Sequence, residues 1–183
     1  MKSKSWEILG STYPLDTKWL KVRCDHVRMA TGVEIPDMYV LEYPNWVNVI
    51  AITEDGRYVL ERQYRHGLQL TSYEICAGTL EGNEDPLEAA KRELYEETGY
   101  GEGEWELYMT SAPNPAAMTN VNYTYLARGV RRLSDQHLER TEDIDVCLLT
   151  KDEVMELMTS GQIVQGIMLA PLWRWMYEQG GCI

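Results

Sequence analysis

Between Gly78 and Tyr100 the chain reads GTLEGNEDPLEAAKRELYEETGY, a stretch that crowds carboxylates onto one short helix. Asp85, Pro86 and Glu88 read as N-cap, first-turn proline and capping-box glutamate, and Gly99 supplies the stop, so the spacing predicts a helix over residues 86–98. Projected at roughly 100° per residue, Glu93, Glu96 and Glu97 share an arc of about 100° beside an apolar stripe of Leu87, Ala90 and Leu94. The stripe must cover a core. Like charges at such spacings disfavour a helix unless something neutralises them. Carboxylate oxygens suit Mg²⁺, Mn²⁺ or Ca²⁺, and Mg²⁺ is commonly shared between one or two carboxylates and phosphate oxygens. A phosphate-containing substrate follows. The alternative is an ordinary solvated acidic face, but Glu88, Lys91 and Tyr95 already occupy the arc opposite the stripe.

At 183 residues, 44% hydrophobic and 25% charged, the chain is long enough for one soluble domain that buries a full core without disulfides or structural zinc. A net charge of −12 argues against nonspecific nucleic-acid or anionic-membrane partners, which need a basic surface. An anionic substrate must then be drawn in by local cations. Cys24, Cys76, Cys147 and Cys182 are scattered and form no CxxC pair, which fits a reducing compartment. His26, His66 and His137 are isolated and suggest neither a metal site nor a dyad. The N-terminus has no signal-peptide pattern and no long apolar segment occurs, so a cytoplasmic protein is expected.

In chain order, β-rich runs at Trp6–Leu9, Trp19–Val27, Val33–Ile35 and Met38–Glu42 predict a small antiparallel N-terminal sheet over residues 1–44, and a sheet with open edges is a dimer surface. Val47–Thr53 and Tyr58–Glu61 flank Asp55-Gly56 as a hairpin that opens a second domain, 45–183. Strands are expected at Trp105–Thr110, Val121–Ala127 and Ile144–Leu149, with Arg128–Asp143 a loop able to close over a ligand. Thr150 and Glu153 form another capping box, and a last helix runs over Val164–Tyr177 with Pro171 kinking or interrupting it. The class is α+β or a three-layer α/β/α sandwich.

Gly78, five residues, Glu84, seven residues, then Arg92-Glu93-Leu94-Tyr95-Glu96-Glu97-Thr98-Gly99-Tyr100 resembles the Nudix box at every fixed position. QYRHG (63–67), YEICAG (73–78) and the tail from Thr141 extend the likeness to the ADP-ribose pyrophosphatase-like branch. The resemblance implies a Nudix fold with an N-terminal β subdomain, a homodimer formed through it, and Mg²⁺-dependent (or Mn²⁺-dependent) cleavage of ADP-ribose or a related nucleoside diphosphate sugar to two monophosphates. It implies Glu93, Glu97 and the Ala77 carbonyl as metal ligands, Glu96 as a further ligand or water-holding group, and Glu84 paired with Arg92. The catalytic base would come from the loop, at Glu139 or Glu142 with Asp143 behind them, although an acidic loop residue can equally be mere solvation. Arg65 and Arg62 would contact phosphate, or else form surface ion pairs. Trp46, Tyr43 or Trp6 would stack on a base, or else belong to the core. The chain departs from the branch at Cys76, where Pro is usual, and in Ser111–Asn120, where Asn114, Ala116, Ala117 and Asn120 replace acidic and aromatic residues. A noncatalytic nucleotide-sugar sensor is the competing reading, but such modules lose box glutamates and this chain keeps them.

Overall fold

The structure, a computed structural model, describes residues 4–18 and 20–180. Trp19, expected to open a strand, and Cys182 lie outside the described residues. The chain falls into two compact units: one runs up to Pro44 and takes in Ala112–Asn120, and the other comprises Asn45–Ser111 and continues from Val121.

The first unit is an antiparallel sheet of β1 (Glu7–Asp16), β2 (Lys21–Arg28) and β3 (Glu34–Glu42), in that order. Two strands outrun expectation. β1 continues past Leu9 and through Pro14, and β3 joins its two expected runs through Pro36. Both are edge strands, where a missing N–H can face away from the ladder, and the register slips beside each proline, between Thr12 and Leu15 and between Asp25 and Val27. Leu41 of β3 exchanges backbone hydrogen bonds with Ala117 and Thr119, which ties the proline-rich segment to this unit.

The second unit holds β4 (Trp46–Thr53), β5 (Tyr58–Arg65), β6 (Leu70–Thr79), α1 (Pro86–Thr98), β7 (Tyr100–Gly101), β8 (Glu104–Ser111), β9 (Asn122–Arg132), β10 (Ile144–Leu149), α2 (Lys151–Thr159) and α3 (Gly166–Glu178). Its sheet has the order β10-β5-β6-β4-β9-β7 with β8 also on β9, and only β4 and β9 run parallel. The central strands are covered on both faces, so β4 reads as a near-continuous apolar run. Val47, Val49 and Ala51 pack with Ala89, Ala90 and Leu94 of α1, while Ile50, Leu60 and Ile75 pack with Val154 of α2 and Met168 and Leu172 of α3. The result is a three-layer α/β/α arrangement.

α1 begins as its sequence dictates: the Asp85 carboxylate accepts from the N–H groups of Leu87 and Glu88, and Pro86 opens the first turn. Glu88 does not act as capping-box partner. With a carboxylate already at the cap it turns to Lys91, one turn on, at 2.9 Å. The box forms instead at α2, where Thr150 and Glu153 bond each other's N–H.

Two further expectations are corrected. β9 continues to Arg132 because Gly129, at φ 72°, forms a bulge. The bulge shifts the alternation by one residue, which hides the strand from a period-two reading. α3 starts at Gly166 rather than Val164, and Pro171, with its ring buried, does not interrupt it.

Gly99 ends α1 at φ 75°, and its carbonyl accepts from the N–H groups of both Leu133 and Ser134. A Cβ there would lie 2.3 Å from the Ser134 backbone oxygen. Gly99→Ala is therefore expected to cost about 2–4 kcal/mol, combining left-handed strain with a backbone clash. Thermal denaturation followed by circular dichroism checks it, with a fall in Tm of about 5–10 °C expected.

Candidate active site

β6 changes partner at its midpoint. It pairs with β5 from Leu70 to Ile75 and with β4 from Cys76 to Thr79, so one edge of Ala77-Gly78-Thr79 has no strand beside it. α1 packs over this stretch, and the seat of the Glu93 side chain requires glycine: a Cβ on Gly78 would stand 1.9 Å from the Glu93 carboxyl carbon. The Glu93 side chain thus lies on the bare backbone of β6, only 12% exposed.

Arg92 braces loop and helix. Its Nε and Nη2 each reach the Glu84 carboxylate at 3.0 Å, Nη2 donates to the Thr79 carbonyl at 3.2 Å, and Nη1 lies 3.0 Å from Glu93 and 3.2 Å from Glu96. That contact holds the Glu84 carboxyl below its ordinary range.

Glu97 is buried and accepts from the Cys76 thiol at 3.3 Å. Burial first, then the charge of Glu93, pushes its carboxyl up to about 7. Glu93 is also raised, by burial, with Arg92 opposing. Beside Glu97 stands Glu61 of β5, fully buried, its two oxygens without a hydrogen-bond partner among the described residues. Burial, then Glu97 and Glu74, drive its carboxyl well above the ordinary range.

The loop after β9 is tied to the C-terminal end of α1. The His137 N–H donates to the Glu96 carbonyl, the Gln136 side-chain amide donates to the carbonyls of Glu97 and Ile144, and the His137 ring stacks on Tyr95 at 5.2 Å. These contacts deliver Glu142 to a polar cleft of about 520 Å³ that it lines with Arg65, Ala77, Gly78, Glu93 and Glu97. An apolar cavity of about 560 Å³, lined by Trp46, Asn48, Leu68, Ile167 and Met168 among others, shares Arg65 and Ala77-Gly78-Thr79 with that cleft.

The structure brings Ala77, Glu93, Glu97, Glu142 and Arg65 together and places Trp46 in the adjoining cavity. Glu96 stands at the exposed edge of the group, 44% exposed, sharing the Arg92 guanidinium with Glu93. Other expected residues stand apart. Glu139 is exposed, and its N–H donates to the Glu142 carboxylate at 2.7 Å. Arg62 pairs with Asp145 at 3.5 Å outside both cavities, and Arg65 pairs with the buried Glu74. In the first unit, Trp6 is exposed.

A family model for the NUDIX domain matches residues 43–168. The chain is a Nudix hydrolase. A second model, for the nucleoside diphosphate sugar hydrolase N-terminal domain, matches residues 6–41. Among curated proteins, this Nudix hydrolase is 30% identical over 164 residues to the ADP-ribose pyrophosphatase of Bacillus subtilis (89% of this chain, 88% of that protein) and 33% identical over 145 residues to the methanol dehydrogenase activator of Bacillus methanolicus (79% and 78%). A GDP-mannose pyrophosphatase of Salmonella arizonae is 33% identical over 120 residues (59% and 60%). A crystal structure of an ADP compounds hydrolase superposes with a TM-score of 0.82 at 20% identity, covering 98% of this chain and 99% of that one, which establishes a shared fold.

Nudix hydrolases use divalent metals, and the residues present fit one. Oxygen donors predominate, and the carboxylates stand close enough that Glu93 raises the proton affinity of Glu97 while Glu96 and Glu142 raise that of Glu93. Glu93, Glu97 and Ala77 are the groups that would hold the ion in the cleft. Sequence reasoning missed Glu61 and Asn48. The signal for Glu61 was present: it alternates with Val59 and so shares that residue's buried face, an unusual place for a lone carboxylate.

Proposed function

We propose that this Nudix hydrolase cleaves the diphosphate of ADP-ribose or a related nucleoside diphosphate sugar to two monophosphates, using Mg²⁺ or Mn²⁺. The observation that carries the reading is the meeting of the carboxylate-lined cleft with the apolar cavity at Ala77-Gly78-Thr79. A diphosphate at that junction lies against the carboxylates while one end group enters the cavity. Similarity to the ADP-ribose and GDP-mannose pyrophosphatases supports the substrate class.

When bound, the cation supplies charge neutralisation of the diphosphate and acidification of water. Glu93, Glu97 and the Ala77 carbonyl hold it, and Glu96, from its more exposed place, hydrogen-bonds water at the rim. Glu142 takes the proton of the attacking water, with its carboxylate fixed by the Glu139 N–H. Arg65, anchored by Glu74, turns its remaining donors toward phosphate. Water adds across one P–O–P bond, so ADP-ribose yields AMP and ribose 5-phosphate.

Turnover of ADP-ribose, GDP-mannose, UDP-glucose, NADH and diadenosine polyphosphates with Mg²⁺ tests the reading, and hydrolysis of none would overturn it. Glu142→Gln is expected to lower kcat by about 100-fold or more, the usual worth of a general base. Glu139→Gln, whose backbone contact survives, is expected to leave kcat nearly unchanged; the reverse ranking in steady-state kinetics would move the base to Glu139.

The N-terminal sheet is the proposed dimer surface, since Ile8, Tyr13 and Leu15 are exposed along β1. Light scattering on the purified chain reads this directly. Free thiols at Cys24, Cys76 and Cys147 fit a reducing cytoplasm, and no helix among the described residues is long and apolar enough to cross a membrane.

A further inference from the structure

Glu61 of β5, Cys76 of β6 and Glu97 of α1 are all buried and present their ligand atoms within 4.8 Å of one another. Hydrogen bonding accounts for the group only in part: a protonated Glu61 can share its proton with Glu97, which still leaves one of its oxygens and the sulfur lone pairs without a partner. The thiol has one proton to give and gives it to Glu97. Glu61, with no exposed surface, meets no N–H or hydroxyl donor among the described residues. Such a group costs several kcal/mol to bury unless something positive or protic meets it.

We propose that Glu61, Cys76 and Glu97 form an inner cation site that takes one borderline divalent cation of the Zn²⁺ or Co²⁺ type. Bonds of about 2.0–2.3 Å to oxygen and sulfur in a tetrahedral site set neighbouring ligand atoms roughly 3.3–3.8 Å apart. The Cys76 Sγ to Glu97 Oε2 distance of 3.3 Å already forms one such edge, and Glu61 completes the face with a small side-chain adjustment. Sulfur decides the class of ion. Mg²⁺ demands an octahedron of oxygens and keeps much of its water, whereas a thiolate favours Zn²⁺ and its neighbours in the first transition row. The setting is dry as well, since Cys76 belongs to the apolar cluster of Val59, Ala90 and Leu94.

Binding displaces the thiol proton, so one proton leaves to solvent for each cation taken up beyond those lost by the carboxyls. Glu97 also lines the polar cleft, so the inner ion fixes the carboxylate that faces the diphosphate. The inference does not depend on which diphosphate is cleaved.

The test uses the full chain carrying Cys24→Ser, Cys147→Ser and Cys182→Ser, so that Cys76 is the sole thiol, titrated with Co²⁺ in excess Mg²⁺. The expected result is a near-ultraviolet thiolate-to-cobalt charge-transfer band that saturates at one equivalent and is displaced by Zn²⁺. Adding Cys76→Ser removes the band, and adding Glu61→Gln weakens Co²⁺ binding by about tenfold or more. Absence of a band in the sole-thiol protein with unchanged circular dichroism overturns the inner site, as does a band that survives Cys76→Ser. Mg²⁺-dependent turnover in the same preparations separates the two readings: turnover without a band sinks only the inner site, and a band without turnover sinks only the hydrolytic reading.

Discussion

Glu97→Gln is expected to abolish turnover while stabilising the metal-free protein, two opposite effects from one carboxylate. The loss of activity follows from the position of Glu97, which lines the cleft and, in the proposed reading, would hold a cation shared with substrate. Removing such a ligand forfeits several kcal/mol of transition-state stabilisation, a fall in kcat of about 1,000-fold or more. The gain in stability follows from linkage. Burial raises the folded carboxyl from 4.5 to about 7, so between those values the native state binds more protons than the unfolded chain. Stability is therefore fullest below pH 4.5 and falls as pH rises through 7, by about 3 kcal/mol from this group alone. Gln carries no charge and removes that fall. Melting in chelator at pH 5 and pH 8 should show a smaller drop for the variant, and Mg²⁺ at pH 8 should raise the Tm of wild type more than that of Glu97→Gln.

Gly78→Ala is expected to spare the fold and cripple the enzyme. The added methyl would meet the end of the Glu93 side chain rather than backbone, so the clash is relieved by swinging a flexible carboxylate aside. The stability cost is then small, about 1 kcal/mol or less. The functional cost is large, because Glu93 leaves its seat on β6, and a shift of about 1 Å in a positioned group can cost about 100-fold. kcat/KM should fall by about that factor with circular dichroism and Tm nearly unchanged. A variant with full activity would show that Glu93 does not need this seat.

The reach and limits of the sequence follow from particular residues. α1 was legible because Asp85, Pro86 and Gly99 mark its ends and Leu94 its buried stripe, all local signals. The strand extensions at Pro14, Pro36 and Gly129 were not, because residues that normally break strands are tolerated at edges and bulges, and tertiary pairing decides which applies. Within the site, helical spacing grouped Glu96 with Glu93 and Glu97, but it carries no information about Arg92, whose guanidinium pairs with both Glu93 and the more exposed Glu96. Glu61 comes from another strand, so its encounter with Glu97 depends on the packing of α1 onto the sheet, beyond any one-dimensional pattern. Arg65 keeps the phosphate role proposed for it while making the ion pair weighed against that role, now with buried Glu74.

The central claim is that the α1 carboxylates and a diphosphate share the same cations. Mn²⁺ binding followed by electron paramagnetic resonance, with and without a nonhydrolysable ADP-ribose analogue, tests it most directly because coupling between two ligands is reciprocal. The account predicts Mn²⁺ affinity that rises about tenfold or more when the analogue is present, an enhancement that disappears in Glu97→Gln. Equal Mn²⁺ affinity with and without the analogue, or an enhancement that survives Glu97→Gln, would contradict it.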